Sequence, residues 1–296
     1  MIVTNNRFSF NTISFFSFFF CCLFCLLCCI VDNLIGFWVF LELCGLSIVP
    51  SFFFNPKVNM YNFYGCVLYY IIVSGLSSVF IVLGLMFLSL YHFVYFGFAL
   101  KFGLFPFLLW VYQVFSIGNW LFIFFLSVLL KFPVLFFCFL YQTDNIKLVY
   151  IDCFLTLLIC SILVWFFSLT WEYVWCHISL SSVATLVVAC FCSSIEICFF
   201  IYWYYFFWAS LVIIYLSIIS DMVDLKSFMF WGFCFLLLIT PISVSLVYKI
   251  SVCVGILYSS VYLLLVWSVY SFSEQFFLYK LAGGCFFSMV YNNWLS

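Results

Sequence analysis

Long apolar runs separated by short polar breaks make up most of the chain. Leu121–Leu130, for example, contains a single polar residue, Ser127, and shows no alternation of apolar and polar positions. A strand of a membrane β-barrel needs that alternation, whereas about 20 consecutive apolar residues form one membrane-spanning helix. The pattern therefore predicts an all-α protein, a polytopic transmembrane helical bundle.

The polar breaks divide the chain into about ten or eleven predicted helices, all within a single integral membrane domain over residues 1–296. The first eight predicted spans are Ile13–Val31, Leu34–Phe54, Phe63–Leu90, Phe93–Phe115, Trp120–Tyr141, Leu148–Leu169, Val174–Cys192 and Ile197–Ser220. Small residues between Ser74 and Gly84 predict that the third span is buried among neighbours, because they let helix backbones approach closely.

The C-terminal third is less regular. Phe228–Tyr270 carries one lysine and one proline and is long enough for two spans. At least one of them is predicted to be interrupted near Pro241, as the fourth span is near Pro106, because proline removes a helical hydrogen bond. Gln275–Trp294 is predicted to form either an eleventh span or a surface helix.

Composition agrees with a membrane location. Hydrophobic residues make up 70% of the chain and charged residues 6%, whereas soluble domains carry about 25% charged residues. The net charge of −1 gives no basis for nucleic-acid binding. The codons for phenylalanine and cysteine are rich in T. The 47 phenylalanines and 17 cysteines therefore predict a T-rich, organellar genome and a mitochondrially encoded gene.

Few residues are suited to metals or cofactors. Cys22, Cys25 and Cys28 form a C-x-x-C-x-x-C run, a spacing also found in iron–sulfur sites. The run lies inside an apolar segment with further cysteines and lacks a fourth ligand pattern, so it is interpreted as apolar filler. His92 and His177 are too few for a bis-haem or copper–haem centre and lie near span ends, where they are predicted to be interfacial. No metal-binding or cofactor-binding residue is predicted.

The candidate site residues are ionisable groups inside apolar runs: Glu42 in the second span, Lys101 in the fourth, Lys131 in the fifth, and Lys249 after Pro241. A lysine at the centre of a bilayer costs roughly 2.5–3.5 kcal/mol and is therefore rare. Burial destabilises the charged form of lysine and glutamate, and a nearby opposite charge restores it. Such a set suits proton translocation, with structural ion pairing in a membrane scaffold as the alternative.

The sequence resembles a known family at five places, in order along the chain: Phe37–Leu43 with Glu42 and Pro50; Lys101, Pro106, Phe107 and Trp110; Lys131 with Pro133; Ser181-Ser182-Val183; and Pro241 with Lys249. These segments are similar to motifs of the subunit 2 family of mitochondrial NADH:ubiquinone oxidoreductase (respiratory complex I). That family belongs to the antiporter-like subunits of the membrane arm, which contain interrupted helices.

The resemblance implies a subunit that translocates protons, coupled to NADH oxidation by ubiquinone. Glu42 and Lys101 would form the charge pair that gates proton uptake, Lys131 the central relay, and Lys249 the terminal site. The chain itself would bind no cofactor, while the parent complex would use FMN, iron–sulfur clusters and ubiquinone. Its partners would be other membrane-arm subunits, including neighbouring antiporter-like subunits, and lipids such as cardiolipin, in the mitochondrial inner membrane.

Several positions depart from the family pattern. Leu108 replaces the histidine that follows proline and phenylalanine, Tyr112-Gln113 replaces a Pro-Glu pair, and Thr185 stands where a histidine is frequent. These departures predict either a relay with fewer polar side chains, in which water or Ser/Thr hydroxyls take part, or a chain that pumps less well. The remaining alternatives are a different antiporter-like cation/proton transporter subunit and a non-catalytic scaffold subunit.

Overall fold

Helices form because a chain inside a bilayer must satisfy its backbone N–H and C=O groups internally. The computed structural model describes residues 6–54, 60–141, 146–168, 170–221 and 227–284, and these residues contain α- and 3₁₀-helices and no strand. The α-helices are α1 (Asn6–Ile30), α2 (Leu34–Ile48), α3 (Met60–Met86), α4 (His92–Phe102), α5 (Leu109–Ile117), α6 (Trp120–Ser127), α7 (Phe132–Leu140), α8 (Ile146–Phe167), α9 (Trp171–Cys192), α10 (Ile195–Asp221), α11 (Ser227–Leu236), α12 (Val244–Ile256) and α13 (Val261–Ala282).

Seven segments are long and apolar enough to cross a membrane: Leu34–Phe52, Tyr64–Met86, Trp120–Leu140, Ile146–Phe167, Trp171–Cys192, Ile195–Ser220 and Val261–Ala282. The helix α1 and the two interrupted pairs, α4–α5 and α11–α12, bring the total to ten apolar segments among the described residues. The predicted all-α membrane bundle with interrupted helices is confirmed.

The chain divides into two compact units after Ile146. In the first unit, α2 packs against α1 and α3, α4 packs along α3, and α7 contacts α1 and α2. The α3–α4 contact is close at Gly97, where an added Cβ would lie 2.7 Å from the Ser77 carbonyl oxygen. A larger residue at position 97 would force these two helices apart.

The second unit is built around α9, which is buried along almost its whole length. It packs against α10 and α12, while α11 contacts α10 and α12, and α13 contacts α12. Trp208 of α10 is central to this core: its ring stacks on Tyr248 with centroids 4.8 Å apart, and its Nε1 donates to the Leu236 carbonyl at 2.8 Å. That bond satisfies one carbonyl left free where α11 ends.

The prediction that the third span is buried among neighbours is wrong. Only 28% of the span Tyr64–Met86 is buried within the chain, and nothing lies within 4 Å of a Cβ built on Gly75. The close approach to α4 uses one edge of α3, where Ser77 lies, and Gly84, whose added Cβ would lie 2.6 Å from the Val94 backbone nitrogen. Small residues therefore mark one contact edge of this helix, and most of the rest of its surface is not buried by the described part of the chain.

The predicted boundary before Gln275 is also wrong. A single helix, α13, runs through Gln275, and residues 285–296 lie outside the described part of the chain. Ser260 caps the start of this helix, because its side chain accepts a hydrogen bond from the Leu263 N–H. The Gln275 amide is satisfied inside the protein, so this polar residue does not mark a helix end.

Candidate functional site

Lys101 lies in the last turn of α4, directly before a non-helical segment that contains Pro106. Gly103 takes a left-handed conformation (φ 71°), and the Leu104 N–H donates to the Ala99 carbonyl at 2.8 Å. This arrangement is a common helix ending, in which glycine adopts the positive φ without strain. The end of α4 thereby fixes Lys101 where the helix dipole favours a cation.

The Lys101 amine pairs with a carboxylate from another helix. Lys101 Nζ lies 2.6 Å from Glu42 Oε1 and 3.4 Å from the Leu41 carbonyl oxygen of α2. The lysine side chain is 5% exposed and the glutamate side chain 22%. A cation this deeply buried needs a compensating charge, and Glu42 provides it.

Gly45, one turn after Glu42, leaves room for the amine. A Cβ at this position would lie 3.8 Å from Lys101 Nζ and 3.3 Å from the Tyr70 hydroxyl. That hydroxyl donates to the Gly45 carbonyl at 3.2 Å. The backbone of α2 and the ring of Tyr70 therefore form one wall of the Glu42–Lys101 pair.

Lys131 lies at a break in the middle of the span Trp120–Leu140. The α-helix α6 ends at Ser127, residues Leu129–Lys131 form a 3₁₀ turn, and α7 begins at Phe132 with Pro133 in its first turn. Proline has no N–H to offer the carbonyl four residues earlier; the Leu129 carbonyl instead accepts from the Phe132 N–H and from Cys25 Sγ at 3.7 Å. The Lys131 residue is 2% exposed, so the break places a lysine at the core of the first unit.

A second ion pair lies in the second unit. Lys249 Nζ of α12 is 3.0 Å from Glu274 Oε1 and 3.4 Å from Ser271 Oγ, both on α13. The two charged side chains are 12% and 8% exposed. Lys249 thus belongs to a helix and is nearly buried.

Hydroxyl groups surround this second pair. A cavity of about 20 Å³ lies beside Lys249 and Glu274, which is room for about one water molecule. Three hydroxyl-bearing residues of its lining, Ser181, Ser182 and Thr185, come from α9. Ser and Thr hydroxyls therefore lie beside this ion pair, while their predicted part in a relay stays a prediction.

The predicted helix interruptions coincide with non-helical backbone. Pro106 lies between α4 and α5, and Pro241 between α11 and α12. In each unit an ion pair lies beside such an interruption, with Lys101 before the first and Lys249 after the second. Irregular backbone at membrane depth is tolerated where it is buried or lines a cavity, which makes these positions candidates for function.

Sequence reasoning missed Glu274 and Gln275. The predicted spans ended at Tyr270 and resumed at Gln275, so Glu274 fell between them and Gln275 was taken for the start of a new segment. Both residues are more than nine-tenths buried. The available signal was the apolar run on both sides of them, which already made Glu274 a mid-helix carboxylate.

His177, predicted to be interfacial, lies inside the protein. His177 is 1% exposed, because α9 begins at Trp171 and is covered on nearly all sides, so a position almost two turns inside it lies in the core. His92, the first residue of α4, is exposed.

The N-terminal cysteines form a packed thiol cluster between α1 and α2. Cys25 Sγ lies 3.6 Å from Cys44 Sγ, and Cys21, Cys25, Cys28 and Cys44 are buried as free thiols. Among the described residues no group of three histidine, cysteine or acidic side chains has a metal-binding arrangement. Of the C-x-x-C-x-x-C run, Cys25 and Cys28 are buried and Cys22 is half-buried.

Solved structures with this fold include two multi-subunit complexes. A chain of the Mrp complex from Dietzia sp. DQ12-45-1b aligns with a TM-score of 0.72 and 15% identity, over 86% of the present chain and 57% of its own length. A chain of the membrane-bound sulfane sulfur reductase, an archaeal respiratory membrane complex, aligns with a TM-score of 0.72 and 12% identity, over 86% and 63%. The present chain thus spans less than two thirds of either relative. No protein-family model and no curated protein matches the sequence.

Proposed function

We propose that the chain is an antiporter-like membrane subunit that translocates protons together with other membrane subunits. The observation that carries the proposal is the buried Glu42–Lys101 ion pair beside an interrupted helix. Burial of an ion pair costs the desolvation of both charges, and ionisable residues inside a membrane segment are rare and mark functional sites. The shared fold with chains of the Mrp complex and of an archaeal respiratory membrane complex supports the same class of function.

More specifically, we propose a core membrane-arm subunit of respiratory complex I in the mitochondrial inner membrane, coupled to NADH oxidation by ubiquinone. The ordered resemblance of five sequence segments to the subunit 2 family supports this assignment. The partners would then be neighbouring antiporter-like subunits and lipids such as cardiolipin. FMN, iron–sulfur clusters and ubiquinone would be bound by other subunits of the parent complex.

The Glu42–Lys101 pair would act as a gate. While the amine and carboxylate are in contact, each stabilises the charged form of the other. When the helices move apart, the buried ammonium loses its counter-charge, and its proton passes to a neighbouring acceptor, leaving a neutral amine. A difference of one pKa unit corresponds to about 1.4 kcal/mol, so a rearrangement of a few kcal/mol is enough to load and unload the site.

Lys131 and Lys249 would extend the path within their own units. Lys131, at the break between α6 and α7, would act as the central relay of the first unit. Lys249, held by Glu274 and beside a hydroxyl-lined cavity, would act as the terminal site of the second unit. Hydroxyl groups and a bound water can carry a proton over short distances, so the loss of the family histidine at Thr185 is compatible with a relay.

Purification under mild detergent tests the assignment to complex I. We expect the chain to co-purify with a large assembly that oxidises NADH with ubiquinone and pumps protons in proteoliposomes. An assembly without NADH oxidation that exchanges cations for protons would instead identify a cation/proton transporter subunit, and an assembly that transports no ions would identify a scaffold.

A further inference from the structure

The interruption between α11 and α12 has its backbone groups satisfied by side chains. Ser245 Oγ donates to the Leu238 carbonyl at 2.7 Å, and the Thr240 N–H donates to Ser243 Oγ at 3.0 Å. Both hydrogen bonds are made within the same stretch of chain. They satisfy some of the backbone N–H and C=O groups that an unwound segment inside a membrane exposes.

Two further backbone groups of the interruption, at Leu237 and Ile239, form hydrogen bonds with a single side chain of α13. The Ile239 N–H donates to Gln275 Oε1 at 2.9 Å, and Gln275 Nε2 donates to the Leu237 carbonyl at 3.3 Å. One amide therefore holds both a donor and an acceptor of the interrupted segment. Gln275 is 7% exposed, so water does not compete strongly for these bonds.

The same amide also contacts the ion pair. Gln275 Nε2 donates its second hydrogen to Glu274 Oε1 at 3.3 Å, the oxygen that pairs with Lys249 Nζ at 3.0 Å. A side-chain amide has two donors and one acceptor oxygen, and all three are used here. The reverse orientation would place the amide oxygen against two acceptors, the Leu237 carbonyl and Glu274 Oε1, so the contacts fix its orientation.

This geometry connects the helix interruption to a charge. A shift of Leu237 or Ile239 moves the Gln275 amide, which in turn changes the hydrogen bond on the carboxylate oxygen that faces Lys249. In the opposite direction, a change in the charge of Glu274 alters how firmly the amide is held, because a hydrogen bond to an ionised group is roughly twice as strong as a neutral one.

We propose that Gln275 is a positioning residue that couples the conformation of the α11–α12 interruption to the Lys249–Glu274 pair, with Glu274 as the charged partner of Lys249. Opening of the interruption and separation of the pair then occur together. The inference deepens the proposed function, since the coupling serves transport only if the pair carries protons.

Hydrogen exchange of the Ile239 amide tests the coupling in the protein purified with its partners. Gln275→Leu removes the acceptor of this amide, and we expect its exchange to accelerate on the order of fivefold, as for the loss of one net hydrogen bond. Gln113→Leu, at an exposed glutamine of the first unit, is the control and should leave exchange unchanged.

The decisive comparison uses Glu274→Gln, which removes the charge and keeps the shape. We expect this change to accelerate exchange at Ile239 several-fold when Gln275 is present and to have no further effect in the Gln275→Leu background. A filler role for Gln275 would not make exchange depend on the charge of Glu274. Equal effects in both backgrounds, or none in either, would overturn the proposal.

Proton translocation by Lys249→Met separates this inference from the proposed function. If translocation is unchanged in Lys249→Met while the exchange coupling is present, the proposed function is wrong at this site and the positioning role stands. If translocation is lost and the exchange coupling is absent, the proposed function stands at this site and the positioning role of Gln275 is wrong.

Discussion

Glu42 Oε1 lies 2.6 Å from Lys101 Nζ, although the two residues are 59 positions apart and belong to different helices, α2 and α4. The lysine is nearly inaccessible and the carboxylate about one-fifth exposed. This contact joins the end of an interrupted helix to the middle of its neighbour, and the account of proton uptake depends on it.

Glu42→Gln should weaken both transport and stability. Removal of one partner leaves an uncompensated buried cation, which costs roughly 3–5 kcal/mol in fully buried pairs; the partial exposure of Glu42 places the expected loss of unfolding free energy at the lower end. Denaturant unfolding in detergent measures it.

The double variant Glu42→Gln/Lys101→Met serves as the control for that experiment. Replacing both partners removes the isolated charge, so the double variant should be more stable than Glu42→Gln alone. Additive losses from the two single substitutions would show that the pair is not energetically coupled.

Gly45→Val should impair translocation without removing any charged group. Even the first added carbon would lie 3.3 Å from the Tyr70 hydroxyl and 3.8 Å from Lys101 Nζ, so the branched side chain must displace one of them. Gly65→Val on α3, where nothing lies within 4 Å of the added carbon, is the matched control. Equal translocation rates in the two variants would argue against a fixed position for the amine.

Ser243→Ala should destabilise the interruption before α12. Ser243 Oγ accepts from the Leu246 and Thr240 N–H groups at 3.3 and 3.0 Å, and loss of such an N-cap costs about 1 kcal/mol, up to about 2. Thermal unfolding compares it with Ser210→Ala, whose exposed hydroxyl only donates to the Phe207 carbonyl. A loss no larger than that of Ser210→Ala would mean that the cap does not stabilise α12.

The class of fold and the positions of the interruptions could be predicted because they depend on local properties. Apolar run length selects helices in a membrane, and Pro106 and Pro241 lie in non-helical backbone as their missing N–H groups suggest. Lys101 and Lys131 could be singled out in the same way, from their depth in apolar runs.

The pairing of side chains could not be derived from local sequence. Contact between Lys249 and Glu274 depends on the rotation and height of α12 relative to α13, which are set by tertiary packing. The helix boundary before Gln275 failed for a related reason: the Ile239 N–H and the Leu237 carbonyl of another segment satisfy its amide, and these partners are not visible in the sequence around Gln275.

Lys131→Met tests the central claim most directly, measured in proteoliposomes as the rate of proton translocation and as the number of protons translocated per NADH oxidised by the assembly. Lys147→Met, at an exposed lysine of α8, controls for the loss of a positive charge. The account predicts about a hundredfold lower rate of translocation for Lys131→Met, the low end of what one positioned proton-transfer group contributes, and no change for Lys147→Met. An unchanged rate and stoichiometry in Lys131→Met would contradict it.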